Sequence, residues 1–199
     1  PNEWWDGLVV LLKKVFANKE YASSIKAITV TSSALCLVVL DKNGNVLDKA
    51  YMVSDKRAET ESKLVKELDP SLFTLPSFKA EPSFLIPKML WMKKNKPDVF
   101  KNVTSFLSAN DFLIYKLTKK IITDTLNAEK FYFDANSKTY PKKILHHLQI
   151  TDNNLPAVTD PGTLIGSLHN DVKKILSIHE DIAVIVSTYD AICALIGSS

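Results

Sequence analysis

Arginine is nearly absent from this chain of 199 residues. Among 25 basic residues only Arg57 is Arg, and the others are Lys. Lys supplies a point charge, whereas Arg offers a planar fork that binds in two places at once. A single Arg in a chain that otherwise uses Lys marks a place where that fork is wanted. The net charge of +3 is small, and there is no Arg-rich stripe or aromatic–basic platform, so no nucleic-acid partner is expected. Lys93-Lys94 and Lys119-Lys120 read as solvated helix ends or turns. Only two cysteines occur, Cys36 and Cys193, each in an apolar stretch. They read as reduced core thiols rather than a disulfide framework. No apolar run reaches about 18 residues, so no membrane partner or span is expected. The first residue is Pro1 and no signal-peptide pattern follows. No Gly-x-x-x-x-Gly-Lys phosphate loop and no Gly-x-Ser-x-Gly elbow is present. Internal repeats and low-complexity segments are also missing. His146 and His147 are adjacent on a predicted helix and point about 100° apart, without Cys or carboxylate at zinc spacing, so no metal site is expected.

What is present is ordinary in composition and specific in pattern. Hydrophobic residues make up 46% and charged residues 24%, as in a globular chain able to bury a substantial core. Trp4, Trp5, Leu8, Leu12 and Phe16 define an amphipathic first helix. Residues 25–30 alternate like a strand, and residues 35–40 read as a more buried one. Asp41-Lys42-Asn43-Gly44-Asn45 is a hairpin turn with residues that accept positive φ, so residues 46–53 are expected to return as the partner strand. A polar helix follows at residues 58–68. Residues 69–87 contain Pro70, Pro76, Pro82 and Pro87 and read as a long loop. Helices are expected at 88–96, after Pro97, at 108–117 with Ser108 as N-cap, at 141–148 and at 172–178. Thr123-Asp124-Thr125 begins a further turn. Strands flank helices, so the class is α/β with a helical insertion in the middle.

The most informative residue is Asp190. The apolar, largely β-branched run Ile182-Ala183-Val184-Ile185-Val186 reads as a buried strand. Ser187-Thr188-Tyr189 turns, and small apolar residues from Ala191 to Gly197 read as a tightly packed helix. A carboxylate at a strand's carboxyl end stands where α/β sheets build ligand sites. The plain alternative is a helix cap.

Several segments in order resemble the amino-terminal domain of the FGGY family of carbohydrate kinases. Pro1-Asn2-Glu3-Trp4-Trp5 is similar to the Pro-x-x-Trp-Trp start of a helix in xylulokinase-like members. Residues 28–41 fall where the family has a strand, a Ser-Gly-Gln-Met-His-Gly turn and a second strand. Val53-Ser54-Asp55-Lys56-Arg57 resembles its Trp-x-Asp-x-Arg motif, and Pro87-Lys88-Met89-Leu90-Trp91-Met92-Lys93 its Pro-Lys-Leu-Leu-Trp-Leu-Lys helix. Residues 108–118 resemble the segment preceding Thr-Asp, Thr123-Asp124-Thr125-Leu126-Asn127-Ala128 the Thr-Asp-x-x-Asn-Ala motif, and Asp190 the Asp of Gly-Gly-Gly-Asp-Asn/Gln-Ala.

The resemblance implies an RNase H-like, actin-like ATPase lobe lacking its first strands. Residues 1–199 would be most of the sugar-binding domain, without the ATP-binding carboxy-terminal domain. It implies transfer of the γ-phosphoryl of ATP, with Mg²⁺, to a sugar or polyol hydroxyl. Asp190 would be the general base, with Leu35, Asp55, Arg57 and Ala191 at substrate positions. A homodimer is a further expectation, as is a cytoplasmic location, from the missing signal, the free thiols and the need for ATP. The departures are specific. The family's Gln, Met and His in the sugar turn are Ser33, Ala34 and Leu35, the Trp is Val53, and the residue after the base is Ala191. Ser32-Ser33-Ala34 is also similar to the Ser-Ser-Ala turn of gluconate kinases, with a one-residue shift. A non-catalytic descendant that senses a metabolite or scaffolds a partner is therefore the alternative, followed by an unrelated α/β domain. The isolated chain is expected to be inactive.

Overall fold

The structure is a computed structural model that describes residues 1–75 and 77–198, with the side chains of residues 19 and 21 left aside. In chain order the helices are α1 (Asn2–Ala17), α2 (Lys19–Ser24), α3 (Glu59–Leu68), α4 (Leu85–Asn95), α5 (Pro97–Phe100), α6 (Ala109–Thr118), α7 (Thr125–Ala128), α8 (Lys142–Leu148), α9 (Asn170–Leu176) and α10 (Asp190–Gly197). The strands are β1 (Ala27–Val30), β2 (Val38–Leu40), β3 (Ser105–Leu107), β4 (Ile122–Asp124), β5 (Ala157–Thr159), β6 (Leu164–Ser167) and β7 (Ala183–Val186). Among the described residues no helix is long and apolar enough to cross a membrane.

β7 is the centre of the principal sheet. β1 runs parallel to it, with Ala27 opposite Ala183 and Val30 opposite Val186. β6 runs antiparallel on its other side, with an irregularity between Leu164 and Gly166. Val184 and Val186 are buried, as their β-branched side chains favour on a pleated surface. They pack with Ile114 and Leu117 of α6, Ile165 and Val172, and Trp5, Leu8 and Leu12 of α1 join them. A second core fills the middle of the chain. Leu37, Val39, Met89, Met92, Phe106, Tyr132 and Leu148 form it. The expected helical insertion is therefore a packed body with its own interior.

Three expectations need correction. The 46–53 segment is not a strand: it meets β2 and the residue before it only at isolated bridges, Leu40 with Val46 and Leu37 with Tyr51. Between them the Asp48 carboxylate accepts from the Lys49 N–H, the Tyr51 hydroxyl and the Lys96 ammonium, and this local turn bends the chain off the ladder. β2 instead pairs along its other side with β3, antiparallel. Second, the proline-rich stretch is no loose loop. Residues Pro70–Thr74 form a 3₁₀ turn, and α4 already begins at Leu85. Phe73, Phe78 and Phe84 all pack on the Tyr132 ring, with Phe84 stacked at 5.0 Å, and the Tyr132 hydroxyl donates to the Lys79 carbonyl. Pro76 lies outside the described residues. Pro87 sits in the first turn of α4, where its missing N–H is an orphan anyway. Third, Cys36 is a buried free thiol as expected, but Cys193 is half-exposed.

The remaining expected helices appear within a residue or two of their predicted places. The Asn43-Gly44 turn also forms, with the Gly44 N–H donating to the Asp41 carbonyl at 3.0 Å and Gly44 at φ +78°. β3, β4, β5 and β6 escaped the sequence reading. Each is three or four residues long, too short to show a period of two.

Candidate active site

β7 ends at Val186, the chain turns through Ser187, Thr188 and Tyr189, and Asp190 opens α10. Tyr189, not Asp190, is the N-cap, and it makes no side-chain cap bond. Asp190 is therefore the first helical residue. Its carboxylate is exposed and accepts the Ala191 N–H at 2.8 Å. A carboxylate is favoured at this positive end of a helix.

The Asp190 N–H donates to the Ser32 carbonyl at 3.0 Å. That bond joins the two strand-end turns, the one after β1 and the one after β7, because the parallel register delivers both to the same edge. The Thr31 hydroxyl donates to the Thr188 carbonyl at 2.9 Å. Asn110 stands behind both. Its amide donates to the Thr188 carbonyl at 3.2 Å and its carbonyl oxygen accepts from the Ser32 hydroxyl. Asn110 is buried in the first turn of α6, which a reciprocal Ser108–Asp111 capping box anchors. The Thr188 hydroxyl is buried with no partner among the described residues.

Leu35 closes the Ser32–Leu35 turn. Its φ is +65°, the left-handed region that bulky residues avoid. Its side chain packs against the insertion core, so its carbonyl is what it offers the turn. That carbonyl accepts from the Lys88 ammonium at 2.6 Å. Lys88 also donates to the Met52 carbonyl at 2.8 Å, and the Asp55 N–H donates to the same oxygen. Burial pushes the Lys88 ammonium down to about 8.

The Asp55–Arg57 pair is bidentate. Arg57 Nη2 lies 2.6 Å and Nε 3.0 Å from the carboxylate oxygens. The guanidinium also stacks over the Trp91 ring at 4.4 Å and near Tyr51 at 5.2 Å. Arg57 holds the Asp55 carboxyl below the usual carboxylate range, and Asp55 raises Arg57 in return. The one Arg stands where a fork and a flat face are both used, which Lys cannot supply. Among the described contacts none joins this pair directly to Asp190. The link runs through Lys88 and the Ser32–Leu35 turn.

Sequence reasoning gave no site role to Asn110, Thr188, Lys88 or Lys130. The Lys130 ammonium lies 4.9 Å from the Tyr189 ring, beside Asp190, and 6.0 Å from that of Phe84. Lys88 left a signal, a lone Lys inside Leu85-Ile86-Pro87 and Met89-Leu90. The other three left none. A cleft of about 900 Å³ opens elsewhere, lined by Thr125, Tyr140, Asp152 and Asp160, and contains none of the site residues. Shape alone therefore points away from the polar cluster, and the hydrogen-bond network is the better guide to chemistry. Among the described residues no group of three or more His, Cys, Asp or Glu could hold a metal ion.

The profile of the FGGY family of carbohydrate kinases, N-terminal domain, matches residues 1–197. The chain belongs to the FGGY family of carbohydrate kinases. The xylulose kinase of Staphylococcus xylosus is 26% identical over 202 residues, covering 100% of this chain and 41% of the relative. The solved xylulose kinase from Rhodospirillum rubrum superposes with a TM-score of 0.89 at 21% identity, over 100% of this chain and 42% of that one. The gluconate kinase from Lactobacillus acidophilus gives a TM-score of 0.74 at 24% identity, over 82% of this chain and 34% of that one. These likenesses establish the expected RNase H-like, actin-like lobe for this FGGY chain. The chain spans about two-fifths of the length of the relatives it matches.

Proposed function

We propose that this FGGY chain is most of the sugar-binding, amino-terminal domain of an ATP-dependent carbohydrate kinase. The observation that carries the reading is the hydrogen bond from the Asp190 N–H to the Ser32 carbonyl. It sets an exposed carboxylate at the strand-end edge beside the turn where the family binds sugar. A hydroxyl attacking phosphorus needs a base within hydrogen-bond reach, and Asp190 accepts its proton. Ala191 and Leu35 flank that carboxylate and the turn as substrate neighbours. Asp55 and Arg57 face the same sugar, held to the turn through Lys88. ATP supplies the phosphoryl group. Mg²⁺ would accompany the nucleotide and neutralise charge on its phosphates.

Ala34, Leu35 and Ala191 stand where the family has side chains for sugar hydroxyls. A site without such groups discriminates poorly among polyhydroxylated substrates. This favours a broad sugar or polyol specificity, and it is also what supports the second reading, a non-catalytic sensor of a metabolite. Steady-state assays of the full-length protein with ATP against ketoses, polyols and aldonates decide between them. Turnover of any of these is the kinase outcome. Sugar binding without ATP consumption is the sensor outcome.

A further inference from the structure

The Ser32–Leu35 turn hangs between two anchors. At one end the Asp190 N–H holds the Ser32 carbonyl, and at the other the Lys88 ammonium holds the Leu35 carbonyl. The second anchor is costly. Lys88 is 2% exposed, and among the described residues no carboxylate lies within ion-pair distance of its ammonium. A buried charge persists only where its hydrogen bonds compensate. Here both are to backbone carbonyls, of Leu35 and of Met52, on two segments that the Leu37–Tyr51 bridge also joins. Leu35 is in addition held at positive φ, a conformation that a bulky residue keeps only when its surroundings over-determine it.

We infer that Lys88 is a positioning residue: it fixes the Ser32–Leu35 turn against Asp190 and couples that turn to the Asp55–Arg57 pair through the Met52 carbonyl. Lys88 touches no reacting atom in this scheme. It sets how well a sugar is held, not how fast the phosphoryl moves. The inference rests on the kinase reading for its consequence, but the clamp itself is a property of the fold. Its bonds are charge-assisted, and an ammonium donates about twice as strongly as a neutral amine. The groups facing Lys88 are Cys36 and Asp55, which favour its charge, and Lys56 and Arg57, which oppose it. The clamp weakens as the pH rises through about 8, where Lys88 loses its proton.

The test uses the full-length protein and the variant Lys88→Met, with hydrogen exchange and steady-state kinetics side by side. In Lys88→Met, amides of residues 31–36 and 52–57 exchange at least about tenfold faster, while those of β7 keep their protection. The sugar KM rises about tenfold with kcat nearly unchanged, the pattern of lost binding rather than lost chemistry. In the wild type, the sugar KM climbs as the pH passes about 8, and in Lys88→Met it stays flat over that interval. Cys36→Ala keeps the wild-type pH profile; a profile lost with the thiol overturns the assignment. Unchanged exchange in the two segments defeats the clamp, and faster exchange with unchanged KM defeats its positioning role. Should Lys88→Met fail to fold, Lys88→Gln takes its place, and unchanged exchange in the two segments with an unchanged sugar KM overturns the inference. A wild-type protein that phosphorylates no sugar or polyol defeats the kinase reading instead, and exchange alone then judges the clamp.

Discussion

Asp190→Asn keeps the shape of the side chain and its bond to the Ala191 N–H, but an amide takes no proton. The expected result in the full-length protein is an unchanged melting temperature and a fall in kcat of about 10²–10⁴-fold, the usual cost of losing a positioned general base. Wild-type turnover in the variant removes Asp190 from the chemistry. Arg57→Lys tests the one Arg in the same way. Lys keeps the charge and loses both the two-point grip on Asp55 and the stacking on Trp91. Arg57 is half-exposed, so stability should fall by no more than about 1 kcal/mol. The sugar KM should rise, and an unaltered KM would leave the pair as surface electrostatics. The linkage of Asp55 has a definite sign. Its folded pKa is depressed, so its stabilisation is present above its unfolded pKa, near 4, and is lost as the pH falls below that.

Among the elements, α6 ties the two strand-end turns together, because its first turn carries Asn110. Asp111, which completes the cap, is buried, and burial with the nearby Asp124 charge pushes its carboxyl up to about 6. Among the described residues its second oxygen and the neighbouring Thr123 hydroxyl find no bond of good geometry. An acid whose folded pKa lies above its unfolded value destabilises as the pH rises between the two. Asp111→Asn keeps an oxygen for the Ser108 N–H and removes the charge. The variant should lose the pH dependence of stability between about 4 and 6, worth up to about 3 kcal/mol. Urea titrations at pH 4.5 and 7 measure it, and a variant with the wild-type slope contradicts the burial argument. At the β2 turn, Gly44 has φ +78° and a Cβ built there would lie 1.9 Å from the Tyr115 hydroxyl. Gly44→Ala should therefore destabilise by about 1 kcal/mol or more, through strain at a left-handed position and displacement of Tyr115.

For the whole molecule, β1 is an edge of the principal sheet among the described residues. Its outer N–H and C=O groups are a template for another strand. Residues 1–199 expressed alone should self-associate, seen as a mass above the monomer in light scattering. They should also bind ATP weakly in calorimetry and turn over no sugar, because phosphoryl transfer needs nucleotide positioning and a metal bridge, and the chain spans only about two-fifths of the length of its kinase relatives. Tight ATP binding by a monodisperse monomer would contradict both expectations.

The sequence by itself determined the strand–turn–helix around Asp190, the amphipathic α1, the Ser108 cap and the Asn43-Gly44 turn. Each is fixed by neighbours within a few residues, through β-branching, helical spacing or a residue that accepts positive φ. It also singled out Arg57, because a planar fork has no substitute. Only the tertiary structure decided what joins these pieces. Strands of three or four residues carry no period, so the pairing of β2 with β3 rather than with the returning segment could not be read. Prolines announced a loose loop, whereas Tyr132, about fifty residues away, packs it down. Asn110 and Lys88 act on carbonyls far along the chain, and a backbone carbonyl has no letter in the sequence. Polar contacts of that kind come into being only when the two cores bring the segments together.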